Sequence, residues 1–219
     1  ENILYNTSMK TIIFDYDGTL TDINIDWKAS TDSINTVLAK HNLPTFSAEE
    51  LMELRSLQGY EALKRLNIPF YKAPFLIPRL LTKFRQVFRN STPYEPMMKV
   101  LNDLNKNTEM IGILTSNSKE NVDAFLKKHD IEKHFFFVMS NNRLFGKHRS
   151  LKKIINEYNL VKEDVYYVGD ETRDVDAARR AGIQSIAVTW GINTKEALEN
   201  AKPDMLLDSP EQLLAITKS

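Results

Sequence analysis

The stretch from Thr11 to Asp22, TIIFDYDGTLTD, constrains this chain most. An apolar run ends on two carboxylates spaced i, i+2, and Gly18-Thr19 then turns the backbone. Four consecutive β-favouring residues, Thr11 to Phe14, make a short buried strand. Gly18 lets the chain leave that strand in a tight turn. Carboxylates therefore stand at the C-terminal end of a strand, where open α/β sheets place their ligand sites. An isolated Asp-x-Asp also occurs in turns whose aspartates bond only their own backbone. The remainder of the chain has to decide between a site and a turn.

A chain of 219 residues, 42% of them hydrophobic, can bury a substantial core as one large domain or as one domain with a smaller insertion. Lys+Arg and Asp+Glu both count 29, so the formal net charge is zero and no overall field favours nucleic acid or an anionic membrane. Any anionic substrate has to be caught by local charges. The absence of cysteine excludes disulfides, thiolate chemistry and Cys-ligated zinc. No apolar run approaches the ~20 residues of a membrane span, and a cytoplasmic protein is expected. The four histidines, His41, His129, His134 and His148, lack metal-ligand spacing. Residues 1–8, ahead of a candidate start at Met9, carry no signal pattern and are expected to be a remnant outside the native chain.

After Asp22 the pattern turns helical and stays so to about Leu104. Ile34, Val37 and Leu38 mark one amphipathic helix. Ser47-Ala48-Glu49-Glu50 is a capping box ahead of Leu51 and Leu54, and Leu76, Leu80, Phe84 and Phe88 form a stripe at i, i+4 spacing. Pro44, Pro69, Pro74 and Pro93 punctuate the tract as helix boundaries and turns. From Met110 strands and helices alternate. MIGIL (110–114), FFFVM (135–139), DVYYV (164–168), SIAVT (185–189) and DMLLD (204–208) read as strands, with helices between them. Ser118 caps one helix, Gly182 ends another, and Ser209-Pro210-Glu211-Gln212 opens the last. This order predicts βαβ units, and hence an α/β fold: a Rossmann-like parallel sheet core from residues 9–21 and 92–219, with an all-helical domain inserted at 22–91.

The predicted strands end in polar residues that a purely structural strand does not need. MIGIL runs into Thr115-Ser116-Asn117, DVYYV into Gly169-Asp170 with Asp174 one helical turn on, and the loop after FFFVM carries Gly146-Lys147-His148. In a parallel sheet these ends gather beside Asp15 and Asp17. Four converging aspartates, Asp15, Asp17, Asp170 and Asp174, repel one another, and a divalent cation that prefers oxygen ligands resolves the repulsion. Mg²⁺ is the expected ion.

DYDGT, the run ending in Thr115, Lys147 and GDETRD (169–174) occur in the order found in the haloacid dehalogenase-like hydrolase superfamily, and the resemblance covers nearly the whole chain. The helical insertion after the first motif resembles the cap of the phosphoglycolate phosphatase-like branch, as do AVTWG (187–191) and PDMLLDSPEQL (203–213). The resemblance implies that Asp15 is a nucleophile forming an aspartyl-phosphate and that Asp17 is the general acid and base. A dehalogenase branch of the family lacks the second aspartate, so Asp17 favours phosphoryl transfer. Thr115 would bond the phosphoryl oxygens, with Ser116 and Asn117 beside it on the substrate. Lys147 would neutralise phosphoryl charge. Asp15, Asp170 and the main-chain carbonyl of Asp17 would hold Mg²⁺, with Asp174 orienting the lysine or metal-bound water.

Each role has a plainer competitor. Lysine in a loop is ordinarily solvated, Thr115 can simply begin a turn, and Asp174 can be a first-turn carboxylate on a helix dipole. Asp22 reads as a cap or turn residue. The chain also departs from the family pattern. His148 and Arg149 follow the lysine where many relatives have proline, and Pro93-Tyr94-Glu95-Pro96 replaces a glycine-bearing turn. Arg55-Ser56-Leu57-Gln58-Gly59 resembles the cap loop that meets the substrate, with Arg55 as an anion clamp or else a surface arginine, and Gly59 permitting close backbone approach. The expected activity is Mg²⁺-dependent hydrolysis of a small phosphorylated metabolite, phosphoglycolate first. A phosphomutase or a catalytically silent binding module on the same fold are the alternatives. No nucleic acid or membrane partner is expected.

Overall fold

The structure is a computed structural model that describes residues 10–22, 27–53, 64–76, 79–80, 92–141 and 146–217. The chain divides into two compact units: one built from the segments up to Asp22 and from Pro93 onward, the other from residues 23 to 92.

The first unit carries six parallel strands: β1 (Thr11–Phe14), β2 (Met110–Thr115), β3 (Phe137–Ser140), β4 (Val165–Gly169), β5 (Gln184–Val188) and β6 (Met205–Leu207). Their spatial order is β3-β2-β1-β4-β5-β6. Although β1 is separated from β2 by the whole second unit, it lies between β2 and β4, with Phe14 opposite Ile113 and Val168. A strand flanked on both sides and covered on both faces has to be apolar throughout, and all four residues of β1 are buried. Successive side chains point to opposite faces. Ile12 and Phe14 join a core with Ile111, Ile113 and Val168. Ile13 joins a second one with Leu114 and Tyr167.

Helices cover these faces. They are α3 (Glu95–Asn107), α4 (Lys119–Lys128), α5 (Lys147–Glu157), α6 (Thr172–Ala181), α7 (Lys195–Ala201) and a short α8 (Leu213–Ile216), preceded along the chain by α1 (Trp27–Lys40) and α2 (Ala48–Glu53) of the second unit. The first face packs against Met97, Val100, Leu101 and Leu104 of α3 and Val122, Phe125 and Leu126 of α4. The second packs against Leu151, Ile154 and Ile155 of α5 and Ala177, Ala178 and Ala181 of α6. Each Leu or Ile so buried contributes roughly 1.5–3 kcal/mol. The punctuation residues act as their types predict. Ser118 Oγ accepts from Asn121 N at 3.3 Å ahead of α4, and Gly182 ends α6 in the left-handed region at φ 79°. Ser209 and Gln212 form a reciprocal box, though it opens a 3₁₀ turn before the four-residue α8.

The expected third strand begins two residues late. Residues 132–134 form a 3₁₀ turn, and Phe136, whose N–H already bonds Ile111 O at 2.7 Å, leaves its ring 68% exposed. β3 is an edge strand, and three consecutive phenylalanines gave no sign of where pairing starts.

The second unit contains α1 (Trp27–Lys40) and α2 (Ala48–Glu53). Ile34, Val37 and Leu38 of α1 share a core with Leu51, Ile68, Ala73, Leu76 and Leu80. Asn35 holds the connecting loop through Phe46, donating to its carbonyl at 2.8 Å and accepting from its N–H at 3.0 Å. The capping box is reciprocal: Glu50 N donates to Ser47 Oγ at 3.2 Å, and Ser47 N to Glu50 Oε2 at 2.8 Å. Leu54, Phe84 and Phe88 lie outside the described residues. No helix among the described residues is long and apolar enough to cross a membrane.

Candidate active site

The strand ends build the site. The parallel register that sets Phe14 opposite Val168 continues one residue further, with Asp15 N donating to Val168 O at 2.8 Å. Asp15 is thereby held at the mouth of the central strand, 2% exposed. Beyond it the backbone winds tightly: Tyr16 O accepts from Thr19 N, Leu20 N and Thr21 N, and Gly18 takes the left-handed conformation at φ 80°. Tyr16 packs inward against Phe125, ring centroids 5.2 Å apart. Its neighbours Asp15 and Asp17 are thus left as the polar members of the turn.

The end of β4 supplies Asp170, which is fully buried. Its Oδ1 accepts from Thr19 Oγ1 at 2.8 Å and its Oδ2 from Ile192 N at 2.7 Å. Two glycines make room for these carboxylates. A Cβ on Gly169 would lie 2.5 Å from Asp174 Oδ2, and one on Gly191 only 2.0 Å from Asp170 Cβ. We expect Gly191→Ala to cost about 1–3 kcal/mol as an overpacked site and to lower activity by displacing Asp170. Thermal denaturation together with an activity assay measures both effects.

Asp174 stands at the third position of α6 and makes two contacts there. Its Oδ2 accepts from Glu171 N at 3.2 Å, capping the helix, while its Oδ1 accepts from Lys147 Nζ at 2.7 Å. Lys147 is 5% exposed and its Nζ also lies 2.7 Å from Asp15 Oδ2. It sits 5.5 Å from the centroid of the Tyr167 ring. The Tyr167 hydroxyl donates to Leu114 O at 3.1 Å and lies 3.4 Å from Asp174 Oδ1. Lys147 and His148 are not loop residues: α5 starts at Lys147, with Gly146 as its N-cap. The missing proline leaves the helix free to begin there, and its first side chain reaches inward between two carboxylates.

Burial dominates the electrostatics. It pushes the Asp15 carboxyl up to about 7, against the lowering effect of Lys147 and with a further push from Asp174. Asp170 is raised well above the carboxylate range by burial and then by Glu171, Asp15 and Asp174. For Lys147 burial favours the neutral amine, but Asp15 and Asp174 more than offset it and the ammonium is retained. Oxygens of Asp15, Asp170 and Asp174 all come within 4.8 Å of one another. Three carboxylates and one ammonium give this buried cluster a formal charge of −2. The ligand atoms of this trio are all carboxylate oxygens, a donor set that suits a hard divalent cation.

The carboxylate of Asp17 stands outside that trio. Asn117 Nδ2 lies 3.1 and 3.3 Å from its two oxygens. Thr115 is buried, and its hydroxyl accepts from Asn117 N at 2.9 Å, closing the turn after β2 beside buried Ser116. Asp22 is exposed and His148 half-buried. Arg55 and Gly59 lie outside the described residues. Residue type alone did not single out Thr19, Tyr167, Gly191 or Arg173. Arg173 pairs with Glu171, and the charges of Glu171, Asp174 and Asp15 keep its guanidinium protonated against the effect of burial. Thr19 and Gly191 did lie inside stretches already picked out, DYDGT and AVTWG.

A model of the haloacid dehalogenase-like hydrolase family matches residues 12–188, and the chain belongs to that family. It is a phosphoric monoester hydrolase, as its phosphatase relatives support. It is 33% identical to the phosphoglycolate phosphatase of Synechococcus elongatus, over 96% of this chain and 98% of that protein. It is 23% identical to the pyrophosphatase PpaX of Bacillus anthracis, over 95% and 96%. Among solved structures it resembles a haloacid dehalogenase-like hydrolase from Streptococcus pneumoniae, with TM-score 0.72 and 20% identity over 95% of this chain and 98% of that one.

Proposed function

We infer that the protein hydrolyses the phosphate monoester of a small carboxylated metabolite of the phosphoglycolate type, with Mg²⁺ as cofactor and Asp15 as nucleophile. The observation that carries this reading is Asp15 itself: buried at the end of the central strand, its Oδ2 2.7 Å from Lys147 Nζ. The resemblance to a phosphoglycolate phosphatase over 96% of the chain supports the substrate class.

Asp15 attacks phosphorus and forms the aspartyl-phosphate as the ester P–O bond breaks. Asp17 gives its proton to the departing alkoxide. It then takes one from the water that attacks the acyl phosphate, releasing inorganic phosphate and restoring Asp15. Thr115 and Ser116 hold phosphoryl oxygens, and Lys147 neutralises the charge that reaches them. Asp15, Asp170 and the Asp17 carbonyl would hold Mg²⁺, and Asp174 fixes Lys147 in place. When bound, the cation would neutralise phosphoryl charge and lessen the repulsion between the Asp15 carboxylate and its anionic target.

The test is phosphate release from a panel of phosphorylated metabolites. We expect phosphoglycolate to exceed phosphohexoses and pyrophosphate, and activity to fall to background in chelator and return with Mg²⁺. Transfer of the phosphoryl group to a second hydroxyl without phosphate release would identify a mutase, and no turnover of any compound a binding module.

The cation also has an equilibrium signature. Asp15 titrates near 3.8 unfolded and at about 7 when folded. The metal-free fold therefore holds a proton that the unfolded chain has lost, and its stability declines as pH rises through that window. A divalent cation offsets the resulting charge, so Mg²⁺ should raise the melting temperature more at about pH 8 than at about pH 5. An equal increment at both would contradict the assignment.

In this reading Arg55 clamps the substrate carboxylate. Arg55→Ala should weaken kcat/KM for phosphoglycolate by about 1.5–3 kcal/mol, the range for a charged hydrogen bond. A neutral aryl phosphate should lose far less. Equal losses on both would assign Arg55 to folding or to catalysis.

A further inference from the structure

Asn117 is fixed in place by its own surroundings. Its N–H donates to Thr115 Oγ1 at 2.9 Å and its carbonyl accepts from Ser140 Oγ. Its side-chain oxygen accepts from Ser118 N at 2.8 Å and from Asn121 Nδ2 at 3.2 Å. A backbone N–H can only donate, so Ser118 determines which end of the amide is oxygen. The NH₂ end is thereby aimed at Asp17, 3.1 Å from one carboxylate oxygen and 3.3 Å from the other. Asp17 itself lies past the end of β1 in a turn and is half-buried. A donor group spanning both oxygens restrains the rotation of that carboxylate.

We propose that Asn117 is a positioning residue: it holds the Asp17 carboxylate in the orientation from which it transfers protons. The proposal rests on the reading of Asp17 as general acid and base. An NH₂ group offers no lone pair, so a protonated Asp17 has to carry its proton on the side turned away from Asn117. The amide thus selects one direction for proton delivery. Misplacing a catalytic group by about 1 Å costs on the order of 10²-fold in rate.

The experiment compares kcat/KM for an alkyl phosphate, phosphoglycolate, with that for p-nitrophenyl phosphate, whose leaving group departs as a stable anion without needing a proton. This parameter ends at formation of the aspartyl-phosphate, so it senses protonation of the leaving group and not the later hydrolysis. Asn117→Ala should lose on the order of 10²-fold on the alkyl ester, and at least about tenfold less on the aryl ester, which bypasses the acid. Asn117→Asp keeps the oxygen that Ser118 N and Asn121 use but sets a second carboxylate against Asp17. It should lose more than the alanine variant on the alkyl ester while still unfolding in a single cooperative transition. A role confined to the turn predicts that Asn117→Asp behaves like wild type, and that result overturns the proposal. Equal losses on both substrates in both variants overturn it as well. Asp17→Asn is measured in parallel. If it shows the leaving-group bias and the Asn117 variants do not, only this proposal fails. If Asp17→Asn shows no bias, the acid–base reading fails and takes the proposal with it.

Discussion

Asp15→Asn is expected to lower phosphatase turnover by at least about 10⁴-fold, the scale on which a covalent nucleophile is missed, and to leave the fold intact. The two halves of this expectation have different causes. Turnover goes because an amide oxygen cannot form the acyl phosphate, and no neighbouring carboxylate can take over: Asp170 is held by Thr19 and Ile192 N, and Asp174 by Lys147 and Glu171 N. The fold stays because Asn fills the same volume and carries no charge where burial already pushes the carboxyl up to about 7. Lys147 keeps Asp174 as a partner at 2.7 Å. Without metal, the variant should melt at or above the wild-type temperature at about pH 8, because it removes one anion from a pocket short of cations. Phosphate release and thermal denaturation on the same samples decide the matter. Turnover close to wild type would sink the nucleophile assignment.

β1 and Asp15 were legible because their signal is local: a run of β-formers stops at a charge, and a glycine follows. The caps at Ser47, Ser118 and Gly182 were legible for the same reason, since each bonds within a few residues. Lys147 was not legible as a residue type. A lysine in an unassigned stretch is ordinarily solvated, and only its order among the motifs marked it. Its burial depends on Asp174, 27 residues away, and on Asp15, brought there by the sheet. The supports of the site were less visible still. Thr19 reaches Asp170 across 151 residues and Asn117 reaches Asp17 across 100. Contacts over such separations exist only once the strand order is set. At Asp174 one oxygen caps the helix while the other meets the lysine, two contacts that a weighing of one role against another does not foresee.

Trp190 illustrates the same limit at the edge of the site. Its Nε1 donates to Thr19 O at 3.1 Å while its ring stacks on Tyr94 at 5.5 Å. Tyr94 N in turn donates to Leu20 O at 3.0 Å, and Thr21 bridges Pro93. The turn that carries Asp17 and Thr19 is thus tied to the segment where the chain returns at Pro93. This ties the turn down without the glycine that relatives often carry at the return.

Lys147→Met should be the most destabilising single change at the site, and its cost should depend on pH. The ammonium neutralises Asp15 and Asp174 together, 2.7 Å from an oxygen of each. Methionine fills similar space but leaves two buried carboxylates with no cation between them. Stripping one partner from a buried pair costs about 3–5 kcal/mol. Part of that cost is avoidable, because a buried carboxyl without a counter-charge can take up a proton. Asp15 is already raised to about 7 with Lys147 present, and removing the lysine, which acts to lower it, raises it further. Near pH 5 the variant can therefore protonate its way out of the penalty, while near pH 8 it has to hold anions or unfold. The stability gap between wild type and Lys147→Met, measured by urea denaturation in chelator, should widen from about pH 5 to about pH 8. Mg²⁺ should narrow the gap at the higher pH by supplying charge to the same carboxylates, yet restore little turnover, since the phosphoryl group still lacks its ammonium partner. Lys147→Arg should not rescue: a planar guanidinium is wider than the slot an ammonium occupies between two oxygens and the Tyr167 ring. A gap of the same size at both pH values would show that Lys147 stabilises the fold by packing its aliphatic stem and not by pairing the two carboxylates.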